Sequence, residues 1–483
     1  MGSLKIEMAK GLFWSAVEKY SSLVVSFLVT VVLSRLISPS EFGVVSIATV
    51  IIQFLAMFTE MGIGPAIIQE RDLSEKNLDS VFSFSLVLGL VLAVILFFAS
   101  PFIASFYSNS KLQLISKILS INIFFAAANI VPNALILKNK RFKFIAKRTL
   151  FLQIISGIIS VIYALNGGGA YALLVAPVLS SIGVFILNMK EYPRHIDWKF
   201  DLDPLKRIFS FSIYQFLFNF INYFSRNADN LIIGKYLGMS ALGYYDKSYR
   251  LMMLPLQNVT NVVSPVLQPF LSDFQNAKNL IADKYIKIIK LIATISFPLG
   301  IGLFFIGDEL IRLVYGPLWE KAVPTFRILS LSLPLQMILS TIGSIYQSAN
   351  STKWMFYSGL MNTCITVFGF IVSILVGGTI ETFAWAWDIT LAINFITSYL
   401  ILYHIVLKSS LKRVALALVY PLINTVCIST ILVLMNQLFL VHINYMLSLL
   451  VKISVCIIST IIIVQISGEY NLPLLWKKIR SRF

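Results

Sequence analysis

Charge is scarce in this chain of 483 residues: only 13% are Asp, Glu, Lys or Arg, against about a quarter in soluble domains. A solvated globule is therefore excluded. Cysteine is scarcer still. Cys364, Cys427 and Cys456 all fall in apolar runs, with no CxxC or Cys/His spacing. That pattern excludes a disulfide framework and a thiolate zinc site, and leaves three small apolar side chains. No GxxxxGK[ST] is present, so no ATPase is fused to the chain. "GIG" at 62–64 follows a long apolar run rather than a βαβ unit, so it is no dinucleotide site. Long polar segments are also missing. The sequence offers no room for an extramembrane catalytic domain, and no catalytic or metal-ligating residues are assigned.

What is abundant is apolar surface, at 58% of residues. Runs near the ~20 residues needed to cross the hydrocarbon core recur along the whole chain. They predict fourteen helices near 12–37, 42–68, 80–104, 114–137, 148–166, 169–189, 208–235, 241–270, 286–307, 323–349, 354–377, 381–407, 413–438 and 444–467. The fold class is an all-α integral membrane protein. Leu12 to Ile37 is too long for a signal-peptide core and precedes no small-residue cleavage site, so it reads as a retained first span.

Lysine and arginine set the orientation. Basic segments alternate with short, nearly neutral ones: "KNKRFKFIAKR" (138–148), "KEYPRHIDWKFDLDPLKR" (190–207), "KNLIADKYIKIIK" (278–290) and "KSSLKR" (408–413), against "NGGG" (166–169) and "GGTIE" (377–381). Both termini are expected in the cytoplasm. The net charge of +17 is then accounted for by topology and anionic lipid headgroups, and no nucleic-acid partner is expected.

Residues 31–43, "VVLSRLISPSEFG", align without a gap on 231–243, "LIIGKYLGMSALG". Basic Arg35/Lys235, identical Ser40/Ser240 and identical Gly43/Gly243 keep step between apolar matches. In the first copy, Ser38-Pro39-Ser40-Glu41 has the form of a capping box with proline at the first helical position. Two copies separated by six spans imply a pseudo-two-fold along the membrane normal. The expected division is 1–200 (spans 1–6), 201–407 (spans 7–12) and 408–483 (spans 13–14 and a basic tail).

Charges inside spans are expensive and point to function. Arg226 and Asp229, three residues apart, share one helix face. Asp246, Lys247 and Arg250 lie in span 8, and Asp388 in span 12; all are expected toward the outer side. Glu18, Lys19 and Glu60 are expected toward the inner side. Two readings stand: an internal ion-pair network that holds helices together, or a polar cavity wall that receives an anionic headgroup. Lys452 in span 14 has no partner legible in the sequence.

"GLFWSAVEKYSSLVVSFLVTVVLSRLISPSEFGVVSIATVIIQFLAMFTEMGIGPAIIQ" (11–69) and "SRNADNLIIGKYLGMSALGYYDKSYRLMMLPLQNVTNVVSPVLQPFLSDFQ" (225–275) resemble the polysaccharide transporter family. These are the Wzx-type lipid-linked oligosaccharide flippases of the multidrug/oligosaccharidyl-lipid/polysaccharide (MOP) exporter superfamily. The resemblance implies two six-helix lobes forming a V, plus two C-terminal helices. It implies export of oligosaccharide repeat units on undecaprenyl diphosphate across a bacterial cytoplasmic membrane, for O-antigen, capsule, exopolysaccharide or teichuronic-type polymer. Arg226, Lys247, Arg250 and Lys19 are then the expected substrate contacts. Asp229, Asp246, Asp388 and Glu60 are the expected ion-pairing or coupling groups. No cofactor is implied, with proton or sodium coupling left open. Partners would be the lipid-linked oligosaccharide, membrane lipid, and polymerase and chain-length machinery. Two other readings are a drug antiporter of the same superfamily and a membrane polysaccharide polymerase or ligase. The first should carry fewer cations beside its acids, and the second should carry a sizeable outer loop.

Overall fold

The structure is a computed structural model that describes residues 2–60, 63–70, 73–197, 223, 226–438 and 444–466. Among the described residues the secondary structure is entirely helical. The chain divides into two compact units, Met1–Gly243 and Tyr244–Phe483.

The first unit holds α1 (Gly2–Leu36), α2 (Pro39–Glu60), α3 (Ile63–Gln69), α4 (Glu75–Phe106), α5 (Lys111–Ala128), α6 (Ile130–Lys138), α7 (Phe142–Leu165) and α8 (Ala172–Glu191). A helical segment over 226–236, α9, follows. The helix α10 (Met239–Ser272) begins in this unit and continues into the second. There follow α11 (Lys278–Phe305), α12 (Gly307–Val314), α13 (Val323–Leu339), α14 (Ile342–Ser348), α15 (Thr352–Val376), α16 (Ile380–Leu400), α17 (Lys412–Leu438) and α18 (Tyr445–Ile466).

Twelve candidate membrane spans occur among the described residues. Of the two others expected, 208–235 lies largely outside the described residues. The other is α10, 34 residues long, which carries Asp246, Lys247 and Arg250 in its first half and several Asn, Gln and Pro in its second. Exposed Phe98, Phe102, Leu375 and Val376 form the kind of surface that faces acyl chains.

Several expected boundaries move. The span predicted over 114–137 is two helices broken at Asn129. Pro132 explains the break, because it has no N–H to donate to the Ala128 carbonyl one turn back. The stretch 278–290, read as a loop, is the first half of α11. Its apolar residues Ile281, Ala282, Tyr285 and Ile289 are fully buried, so packing overrides its lysines, which snorkel. The span predicted over 323–349 breaks at Ser340-Thr341 between α13 and α14. In the second unit α11 packs against α13, α17 and α18, and α18 also touches α12 and α17. The last two spans are therefore docked on the rest of that unit.

The repeated turns meet within the first unit. A Cβ on Gly43 would collide with the Met239 carbonyl oxygen, and a Cβ on Gly243 would collide with the Pro39 carbonyl oxygen. The two contacts are reciprocal at the same offset of 200 residues that aligns the sequence copies. Only glycine lets backbone approach backbone this closely. The Ser38 hydroxyl accepts from the Glu41 N–H at 3.4 Å and donates to the Glu41 carboxylate at 3.3 Å. The first of these turns thus starts α2 on Pro39 as its sequence predicts.

Candidate functional site

The second unit collects polar groups around the start of α10. Arg250 Nε donates to both Asp246 oxygens, at 2.9 and 2.8 Å. One turn of helix separates them, the spacing at which side chains meet. The Asp246 side chain is enclosed while the Arg250 side chain is 57% exposed, so the pair presents its cation outward. Lys247 is buried. Its Nζ stands 5.9 Å from the Tyr315 ring centroid, and the Tyr315 hydroxyl donates to the Lys247 carbonyl at 3.4 Å. Burial pushes the Tyr315 hydroxyl well above the usual phenol range, so it stays a neutral donor. Lys247 and Arg250 are both expected substrate contacts. Here one points into the protein and the other outward.

An aromatic slab ties α10 to α15 and α16. Tyr245 meets Phe383 edge-on, Phe383 stacks on Phe370, Phe370 stacks on Trp387, and Trp387 meets Tyr249. Beside Trp387, both Asp388 oxygens are enclosed and make no hydrogen bond of full geometry, although the Ser332 hydroxyl approaches them. The indole Nε1 of Trp387 is also enclosed without an acceptor. A carboxylate in this state is costly to keep charged and bare.

The first unit holds the remaining expected residues. Arg226 is exposed on α9, and Asp229 on the same segment is 3% exposed. The Asn230 N–H donates to Asp229 Oδ1 at 2.8 Å. Lys19 is exposed on α1. Glu60 is the last residue of α2, and its side chain lies outside the described residues. The eight expected residues are thus divided between the units, with Asp246 and Arg250 bonded to each other.

Of two further buried cations, the sequence singled out one without its partner and missed the other. Lys452 on α18 is not alone, as its sequence context suggests. Its Nζ donates to Glu309 Oε1 at 2.5 Å and to the Phe305 carbonyl at 3.1 Å, and the Ser448 hydroxyl donates to the same Glu309 oxygen at 2.8 Å. Glu309 sits on the short helix α12, in what reads as an outer loop. The second is Arg148 on α7, 8% exposed. Its Nη1 donates to Asn188 Oδ1 on α8, and Asn188 Nδ2 donates to Asn129 Oδ1 at 2.7 Å, at the α5–α6 break. Arg148 read as part of a basic loop, but α7 already begins at Phe142. The buried positions of α7 are Ala146, Arg148, Ser156, Gly157, Ser160 and Ala164, and the sequence alone does not set Arg148 among them.

Outside the spans, Arg312 is held above its ordinary value, chiefly by its hydrogen bond to Asp308, with Glu320 assisting. Among the described residues no three His, Cys, Asp or Glu side chains gather as a metal site.

A profile of the polysaccharide biosynthesis protein family matches residues 32–324, which is more than half of the chain. The chain belongs to that family. Similar curated proteins include the teichuronic acid biosynthesis protein TuaB of Bacillus subtilis, 25% identical over 89% of each chain. The lipopolysaccharide biosynthesis protein WzxC of Escherichia coli is 24% identical over 87% of this chain and 85% of its own. Among solved structures, the lipid II flippase MurJ in an inward closed conformation aligns with a TM-score of 0.72 at 18% identity. That alignment covers 94% of this chain and 98% of MurJ. An inward-facing MATE transporter aligns at 0.57 and 15% identity, over 78% of this chain and 93% of its own. These likenesses show that the chain shares the fold of those transporters. The chain is a multi-pass membrane protein of the polysaccharide biosynthesis family.

Proposed function

We propose that the protein is a flippase. It carries undecaprenyl-diphosphate-linked oligosaccharide repeat units from the cytoplasmic to the outer leaflet of a bacterial cytoplasmic membrane, by alternating access, with both termini in the cytoplasm. The observation that carries this reading is a match over almost the whole chain to relatives named for different polymers, teichuronic acid and lipopolysaccharide. Their sugars differ, so what one fold serves in common is the carrier: a prenyl chain with a charged diphosphate.

The chemistry fits that cargo. A diphosphate cannot cross hydrocarbon bare, and cations that replace its water lower the barrier. Arg226, Lys247, Arg250 and Lys19 are the proposed contacts, with Asp246 orienting Arg250. Asp229, Asp388 and Glu60 are proposed as the groups that would take up a coupling proton or sodium ion; Asp388 is the best suited, because its enclosed oxygens lack hydrogen bonds. Polymerase and chain-length proteins would receive the flipped unit. The MATE likeness concerns fold and favours no drug substrate.

Removal of the protein from its own cell tests the reading. Surface polymer is expected to vanish, with lipid-linked repeat units accumulating on the cytoplasmic face. Unchanged polymer together with altered resistance to cationic drugs would reject it.

A further inference from the structure

We infer that Arg148 is an anion-contact residue of the first unit, one that receives the diphosphate of a prenyl carrier on the side where α7 begins. This rests on the flippase reading and adds a residue and a place to it.

A guanidinium taken out of water loses strong hydration, and a buried cation is normally kept by a carboxylate. Lys452 follows that rule through Glu309. Lys247 stands directly after Asp246. Arg148 departs from it. Its described hydrogen-bond partner is the neutral oxygen of Asn188, and it also lies over the face of Phe144, 5.9 Å from the guanidinium carbon. Its Nε has no acceptor. Glu18, half-buried on α1, is near enough for its charge to be felt but forms no ion pair with it.

Asn188 is itself fixed by Asn129, so the guanidinium is oriented by two amides rather than neutralised by an acid. That is the arrangement expected of a group kept charged and partly unpaired for a ligand. Arginine suits it because a planar fork meets phosphate oxygens through two parallel bonds, which a lysine cannot do. The surroundings favour an anion as well. Lys143 and Lys147, exposed on the opening turns of α7, raise the local positive potential that draws an anionic headgroup in. Lys143 itself rests over the Trp14 ring of α1, 5.6 Å from its centroid. Arg148 thus lies buried directly beside a basic surface.

Binding to the purified full-length protein in nanodiscs tests the assignment. The probes are undecaprenyl diphosphate without sugar, undecaprenyl monophosphate, and nanodiscs rich in phosphatidylglycerol with neither. Wild-type protein should bind the diphosphate in preference to the others. Arg148→Gln should weaken diphosphate binding about tenfold or more, and Arg148→Lys should fall between, because it keeps charge but loses the fork. Glu18→Gln should bind at least as tightly as wild type. Diphosphate affinity unchanged in Arg148→Gln would overturn the assignment, as would equal competition by phosphatidylglycerol. If Arg148→Gln fails to fold, Arg148→Lys decides, and diphosphate preference retained in full rejects the contact. Wild-type protein that binds none of the prenyl phosphates would instead reject the flippase reading itself.

Discussion

Lys452 and Arg148 are both cations buried in apolar helices, yet the protein treats them in opposite ways. In the second unit Lys452 is answered by a carboxylate and a backbone carbonyl, and the Ser448 hydroxyl donates to the same carboxylate oxygen. In the first, Arg148 is answered by a neutral amide that another amide holds still. The first arrangement sets charge against charge and fastens α18 to α12, with Glu309 Oε2 left without a hydrogen bond. The second leaves a charge oriented and incompletely satisfied. A buried cation is therefore no functional signal by its presence; the character of its partners decides.

Substitutions can break this contrast, and the largest effect should come from Lys452. Removing one member of a buried pair leaves the other charged and bare, at about 3–5 kcal/mol. Lys452→Met or Glu309→Gln should each lower thermal stability in detergent. The double change Glu309→Leu/Lys452→Met should recover most of the loss, since apolar groups of similar volume replace such pairs at little net cost. A double variant as unstable as the singles would show that the pair does more than fasten α18.

Next come Gly43→Ala and Gly243→Ala. Each forces backbone apart at the reciprocal contact and should cost roughly 1–3 kcal/mol, the range for overpacking. Because the contacts are equivalent by sequence, the two losses should be similar in thermal unfolding. A large loss at one and none at the other would break the correspondence.

Arg148→Gln should sit well below these in stability. It removes a charge whose partners are neutral, so no ion is orphaned, and the change should stay within about 1 kcal/mol. Transport, by contrast, should fall strongly. Stability loss as large as at Lys452 would place Arg148 in the same fastening role. The smallest effect belongs to Arg312→Ala. Its pairs with Asp308 and Glu320 are 40%, 37% and 62% exposed, and surface pairs contribute about 0–1 kcal/mol. Unfolding temperature should barely move.

The contrast also marks how far the sequence could be read. The spans were legible because apolar length has one meaning in a membrane, and the α1–α2 turn was legible because Ser38 and Pro39 carry their geometry with them. The breaks at Asn129 and at Ser340-Thr341 were not, since an apolar run does not say whether one helix or two fill it. Asp246, Lys247 and Arg250 were found from charge in apolar surroundings, but not that Asp246 takes Arg250 in a two-oxygen hydrogen bond while Lys247 lies buried beside Tyr315. Glu309 could not have been matched with Lys452. The two lie far apart in sequence, and an acid in a short loop usually meets water. Arg148 was hidden by its neighbours: in "KNKRFKFIAKR" (138–148) only helical phase separates an outward Lys147 from an inward Arg148.

One measurement bears directly on the transport claim. The purified protein is reconstituted into vesicles that carry a fluorescent prenyl-diphosphate-linked oligosaccharide in both leaflets, and a membrane-impermeant quencher is added outside. Vesicles without protein should keep their inner-leaflet fluorescence, whereas vesicles with the protein should lose it as labelled lipid moves outward. Inner-leaflet fluorescence equally protected with and without the protein, in vesicles shown to contain folded protein and supplied with either a proton or a sodium gradient, would contradict the account.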